Sequence, residues 1–198
     1  GNISFRHLFG LSHAIAQQAH DGLLLHGALA ENADRGVILI AQGGTGKTTA
    51  SERLPLPWHS LCDDITLVVR DTSGGFWAHP WPTWSRFQEN GRGGSWNTQK
   101  AVPLKAIYHL SQAGKDWLEP LGNGQAVIFL TQSAEQVFFQ VRHDFDEDAR
   151  RHFRLQQFER ICALVQHVSC NELHLSMTGS FWQLLEDAFV KKPAEEHD

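Results

Sequence analysis

The sequence is poor in cysteine, methionine and tyrosine, with three, one and one among 198 residues. Cys62, Cys162 and Cys170 form no CxxC pair, which excludes a disulfide framework and a cysteine zinc ribbon. They read as structural thiols of a reducing compartment, so the expected location is cytoplasmic. Long apolar runs are also lacking. The stretch 36–41, Gly-Val-Ile-Leu-Ile-Ala, falls far short of the roughly 20 residues a membrane helix needs. No basic start followed by an apolar stretch marks a signal peptide. Positive charge is in the minority, 17 Lys and Arg against 22 Asp and Glu, for a net charge of −5. That balance argues against a nucleic-acid or membrane-surface partner. Histidines are many, but His7, His13 and His20 stand at no zinc-ligand spacing and read as solvated or capping groups. No Asn-Lys-x-Asp stretch is present to read guanine, so adenine is the default base.

What is present suffices for a core. Hydrophobic residues make up 41% and charged residues 20%, as in a globular domain and unlike a disordered chain. One domain over 1–198 is the simplest account, with 191–198 a charged, frayed tail. Residues 2–20 read as a strand or a short helix. Strands are expected at 23–29, 37–41, 61–70, 76–79, 102–110, 125–130 and 173–177. A polar turn at 31–36 joins the first two, and 71–75 makes a second hairpin. Helices are expected at 48–54, 133–140, 143–168 and 181–190, with Pro55 and Pro57 stopping the first. This order is not the βαβ alternation of an ordinary parallel phosphate-loop fold. Residues 80–97 are rich in Pro, Gly and Trp, and a loop of that length is usually functional or disordered. Trp77, Trp81, Trp84 and Trp96 argue against simple disorder.

The strongest local signal is Ala41-Gln42-Gly43-Gly44-Thr45-Gly46-Lys47-Thr48. It fits the phosphate-loop pattern G-x-x-x-x-G-K-[ST] except that Ala41 replaces the first glycine. A methyl is tolerable there if φ stays negative. The loop follows an apolar strand and opens a helix, so its backbone N–H groups can turn toward phosphate oxygens. Lys47 can reach the β- and γ-phosphates and the Thr48 hydroxyl can ligate Mg²⁺. Gly43, Gly44, Thr45, Gly46, Lys47, Thr48 and Thr49 are thus the candidate nucleotide-binding residues.

The second signal is Cys62-Asp63-Asp64. Adjacent residues of a strand point to opposite faces, so one carboxylate can face the phosphates while the other does not. An ordinary Walker B run ends in its acid; here the acids precede Ile65-Thr66-Leu67-Val68-Val69. The third signal is His26 in Leu24-Leu25-His26-Gly27-Ala28-Leu29, on the strand before the phosphate-loop strand.

In this order, His26-Gly27, the phosphate loop and Asp63-Asp64 resemble the catalytic domain of the HPr kinase/phosphorylase family, a relative of phosphoenolpyruvate carboxykinase. The resemblance is strongest over 22–70. Pro80-Trp81-Pro82 and Val102-Pro103-Leu104 are similar to proline-marked segments of smaller related kinases in peptide-modification cassettes of the SynChlorMet and lasso-peptide types. It implies an α/β phosphate-loop fold like the HPr kinase C-terminal domain, with a mixed β-sheet and flanking helices. It implies ATP and Mg²⁺ as cofactors. It makes Lys47 a phosphate ligand, and Thr48 and Asp64 metal ligands. Asp63 becomes the base for a serine hydroxyl, and His26 a neighbour of the γ-phosphate or the acid pair. The family's Glu-[Ile/Val]-Arg-Gly segment is missing after the acids. Arg86 and Arg92 are the nearby cations that could clamp substrate or phosphate, Arg86 being preferred. Members of the family often oligomerise, so a homo-oligomer is an implied option that no residue here fixes.

The expected function is ATP- and Mg²⁺-dependent phosphoryl transfer to a Ser or Thr hydroxyl of a peptide or small protein, with the Trp- and Gly-rich loop as acceptor surface. A nucleotide-binding accessory or ATPase module without transfer is the alternative. A small-molecule kinase ranks third, for want of a compact second cationic cluster.

Overall fold

The structure, a computed structural model, describes residues 21–82 and 97–190 together with Ser12, Ile15 and Ala16. Strand β1 (Leu23–Asn32) turns back into β2 (Arg35–Ile40) through Ala33 and Asp34. Both turn residues have positive φ, 49° and 58°, the conformation whose twist matches a two-residue hairpin. Helix α1 (Lys47–Arg53) follows β2, and then come β3 (His59–Cys62), β4 (Ile65–Arg70) and β5 (Phe76–Pro80). The rest is β6 (Val102–Gln112), β7 (Trp117–Pro120), α2 (Asn123–Val141), α3 (Glu147–Val165), β8 (Ser169–Leu175) and α4 (Trp182–Val190).

The fold is mixed α/β. Two long strands each serve two sets of neighbours. The first residues of β1 pair with β4, while its later residues pair with β2 and β3. Strand β6 pairs with β5 at its start, then with β2 and β8. The path β1–β4–β5–β6–β2 therefore returns to β1. β2, β6 and β8 run parallel, and β7 lies antiparallel on β8. One apolar cluster joins Leu25, Leu29, Ile38 and Ile107 to Ala126, Leu130 and Ile161 of α2 and α3. A second joins Val37, Leu39 and Tyr108 to Phe181, just before α4, and Leu185 within it. β1 and β2 are thus covered on both faces, which is why their inner stretches, 28–30 and 37–40, are continuously apolar.

Several expectations change. Residues 125–130 are not a strand but the start of the 19-residue helix α2. In a strand, Ala126, Ile128 and Leu130 would share one face. Here Ala126 and Leu130 are buried while Ile128 is 56% exposed, and burial continues at Ala134, Val137 and Val141 with helical spacing. The stretch 61–70 is not one strand, because it breaks at Asp63-Asp64 between β3 and β4. The stretch 143–168 begins with a 3-10 turn, Arg142–Asp144. α3 then starts at Glu147, capped by Asp146, whose side chain accepts from the Ala149 N–H. Phe153, Ile161, Leu164 and Val165 are buried, but Phe158 is exposed. The four-residue strand β7 was not expected, and the last strand is Ser169–Leu175 rather than 173–177. Of residues 2–20, only Ser12, Ile15 and Ala16 are described, and they are helical. Residues 83–96, with Arg86, Arg92, Trp84 and Trp96, and the tail 191–198 lie outside the described residues. Among the described residues no helix is long and apolar enough to cross a membrane.

Candidate active site at the phosphate loop

The phosphate loop leaves β2 at Ile40 and enters α1 at Lys47. Gly44 and Gly46 have φ of 81° and 104°, a region that costs other residues about 1–2 kcal/mol. A Cβ at Gly43, Gly44 or Gly46 would meet nothing within 4 Å. The loop thus bounds open space, and backbone conformation, not crowding, favours glycine at 44 and 46. The N–H and hydroxyl of Thr45 both donate to the Gln42 carbonyl, at 3.3 and 2.9 Å. Ala41 is buried in the second apolar cluster and is absent from the positive-φ residues, so its methyl costs the loop nothing.

Lys47 is 7% exposed. Its Nζ donates to the Ala41 carbonyl at 3.0 Å, so the ammonium folds back across the loop it terminates. Burial lowers its pKa, and the nearby negative charge of Asp64 opposes that shift. Thr48 is half-buried and Thr49 exposed. Buried ammonium, glycine-rich backbone, hydroxyl and carboxylate suit a nucleotide phosphate with its Mg²⁺: donors for the phosphate oxygens and hard oxygens for the metal.

The acid bend is built by pairing on β1. His26 pairs with Ile65 and Leu29 with Cys62, so Asp63-Asp64 lies across from Gly27-Ala28. Local hydrogen bonds hold the break. The Cys62 thiol donates to the Ile65 carbonyl at 3.2 Å, and the Thr66 hydroxyl donates to the Gly27 carbonyl at 2.8 Å. Gly27 is needed for a close approach, since a Cβ there would fall 2.7 Å from Ile38 Cγ2. Burial pushes the Cys62 thiol up to about 11, so it braces the bend as a thiol rather than acting as a nucleophile.

His26 Nε2 lies 3.3 Å from Asp64 Oδ1. Its Nδ1 is hydrogen-bonded to Gln136 Oε1 of α2, and its carbonyl accepts from Ser133 Oγ at 3.2 Å. The imidazole is thus clamped between the acid bend and α2. A cleft of about 580 Å³ opens there, lined by His26, Gln42, Gln132, Glu135, Gln136 and Phe139. One wall is the phosphate loop's Gln42 and the other a single face of α2, since 132, 135, 136 and 139 recur at helical spacing. Arg154 of α3 holds Glu135 at 2.9 Å.

The family model described as SynChlorMet cassette protein ScmC matches residues 8–190. The chain belongs to that family. A search of curated proteins returns no match for this ScmC-family chain. Among solved structures it is similar to the Hpr(Ser) kinase/phosphatase from Coxiella burnetii, with 9% identity and a TM-score of 0.38, covering 85% of this chain and 93% of the other.

The structure brings His26, Asp64 and Lys47 together, with Asp63 beside Asp64 and Thr48 after Lys47. Arg86 lies outside the described residues. Gln132, Ser133, Glu135, Gln136 and Phe139 were missed. Gln136 stands 110 positions from His26, and only the assignment of 123–141 as one helix would have shown that these residues share a face.

Proposed function

We propose that this ScmC-family chain is a small ATP- and Mg²⁺-dependent kinase acting on a Ser or Thr hydroxyl of a peptide or small protein. The observation that carries the reading is the meeting of the phosphate-loop Lys47 with the His26-braced acid bend. Gly43 to Thr49 would hold the nucleotide phosphates, and Thr48 with Asp64 the Mg²⁺. The metal, when bound, supplies neutralisation of phosphate charge.

Each chain group then has a task. Asp63 accepts the hydroxyl proton as the acceptor oxygen attacks phosphorus, which a weak nucleophile such as a serine hydroxyl requires. The Lys47 ammonium stabilises charge on the transferring group. Its burial strengthens that interaction, since a charge in a low dielectric acts more strongly than in water. Asp64 favours the protonated lysine. His26 positions Asp64, and Gln136 positions His26. The cleft under α2 accommodates the acceptor segment.

The test separates binding from transfer. ATP affinity is measured by calorimetry, and phosphoryl loss from γ-labelled ATP by product analysis. Asp63→Asn is expected to bind ATP like the wild type and lose transfer by about 10²–10⁴-fold, the scale of a general base. Lys47→Ala is expected to weaken both. Transfer by Asp63→Asn at the wild-type rate would overturn the base assignment. ATP binding without turnover in the wild type would favour an accessory nucleotide-binding module.

A further inference from the structure

A second carboxylate–histidine cluster lies where β6, β8 and β7 run side by side. Strand register makes two rows on one face: His109, Glu172 and Glu119, then Ser111, His174 and Trp117. The other face carries Leu110, Leu173 and Leu118, which belong to the second apolar cluster. Glu119 and Glu172 face each other directly across an antiparallel pair, a placement that repels when both are charged.

The side chains converge. His174 Nε2 lies 2.9 Å from Glu119 Oε1. One oxygen or nitrogen from each of Glu119, Glu172 and His174 falls within 4.8 Å of the others. Their surroundings fix their orientation. Trp117 stacks on His174 at 3.8 Å and 10°. Ser111 Oγ donates to Glu172. His109 is sandwiched against Phe129 of α2 at 3.7 Å and 2°. His109 Nδ1 is buried and faces Glu172 Oε1 at 3.8 Å, just beyond hydrogen-bond distance.

We propose that Glu119, Glu172 and His174 bind one Zn²⁺ ion, with water completing the shell. One imidazole and two carboxylates form a mixed nitrogen and oxygen donor set, which suits zinc and leaves an open fourth position. Mg²⁺ prefers six oxygens in an octahedron and is a poor fit to these three ligands. His109 is a positioning residue, with Nδ1 placed to donate to the ligating Glu172 carboxylate. The ion removes the repulsion between the facing glutamates and ties the four-residue strand β7 to β8. It is separate from the Thr48 and Asp64 metal position, since it shares no ligand with it.

The test uses the full chain, stripped with chelator and titrated with Zn²⁺ against a chromophoric zinc indicator. One equivalent is expected to bind, with a rise in the unfolding temperature, and millimolar Mg²⁺ is not expected to displace it. Co²⁺ in its place is expected to give the intense visible bands of a four-coordinate site. Glu119→Gln with His174→Asn is expected to weaken Zn²⁺ by at least about tenfold, since losing even an outer-shell partner costs a metal site that much. His152→Asn, an exposed histidine elsewhere, is expected to leave it unchanged. If the double variant fails to fold, the exposed Glu119→Gln alone serves, read by affinity and by the Co²⁺ spectrum. No stoichiometric binding, or binding unchanged in these variants, would show the cluster to be an ion pair only.

Discussion

Two carboxylate–histidine clusters in this chain set similar groups in opposite surroundings. In the acid bend, Asp63 and Asp64 are neighbours in sequence, and the strand must break to accommodate them. A buried lysine feels the charge of that bend, and a clamped histidine contacts it. In the β6–β8–β7 cluster, Glu119 and Glu172 are far apart in sequence and meet because intact strands pair. Aromatic rings and a serine hydroxyl, not a phosphate loop, surround them. The setting decides the chemistry: carboxylates beside a buried ammonium and glycine-rich backbone suit moving a charged phosphoryl group. Carboxylates locked in a sheet beside imidazole suit holding a cation still.

The contrast can be broken most forcefully at Lys47. Lys47→Ala is expected to lower transfer by about 10²–10³-fold, the scale of removing one preorganised electrostatic donor. A steady-state assay that found it near wild type would remove the feature that distinguishes the bend. Next, Asp64→Asn is expected to raise the Mg²⁺ concentration for half-maximal rate by at least about tenfold, the scale of losing even an outer-shell partner of a metal. If this variant instead shifted Zn²⁺ affinity, the two clusters would not be separate metal positions.

Smaller effects sharpen the picture. Gln136→Leu removes one hydrogen bond to His26, worth about 1 kcal/mol. It is expected to reduce kcat a few-fold with ATP affinity kept, and unchanged kcat would disconnect α2 from the chemistry. Asp71 supplies a third, purely structural carboxylate. It accepts from Ser73, Trp77 and Gly75 in the β4–β5 turn. Hydrogen bonds, first from the Ser73 side chain and then from Trp77, hold it down to about 2. A depressed carboxylate contributes stability above its usual value near 4, and that contribution fades as pH falls toward about 2. Unfolding temperatures across that window are expected to fall less for Asp71→Asn than for the wild type.

The phosphate loop was legible because its residues are contiguous and its glycines, Gly44 and Gly46, are dictated by backbone conformation. The acid pair was legible as a pair, but not as a bend. That depends on pairing of both flanking strands with β1 and on the Cys62 and Thr66 hydrogen bonds. The α2 wall was hidden because Ala126-Val127-Ile128-Phe129-Leu130 is apolar enough for a buried strand, and a short apolar run does not declare its period. The Glu119, Glu172 and His174 cluster was hidden for a related reason: its residues lie on two strands, and one of them, β7, was not expected at all.

The central claim is phosphoryl transfer assisted by Asp63. Its most direct measurement is the intact mass of candidate peptides, those encoded beside this chain's gene and a serine-containing pool, after incubation with the protein, Mg²⁺ and ATP. The account predicts a gain of one phosphoryl group on a peptide, absent with Asp63→Asn at undiminished ATP affinity. ATP bound tightly with no peptide gaining mass, or the same gain with Asp63→Asn, would contradict it.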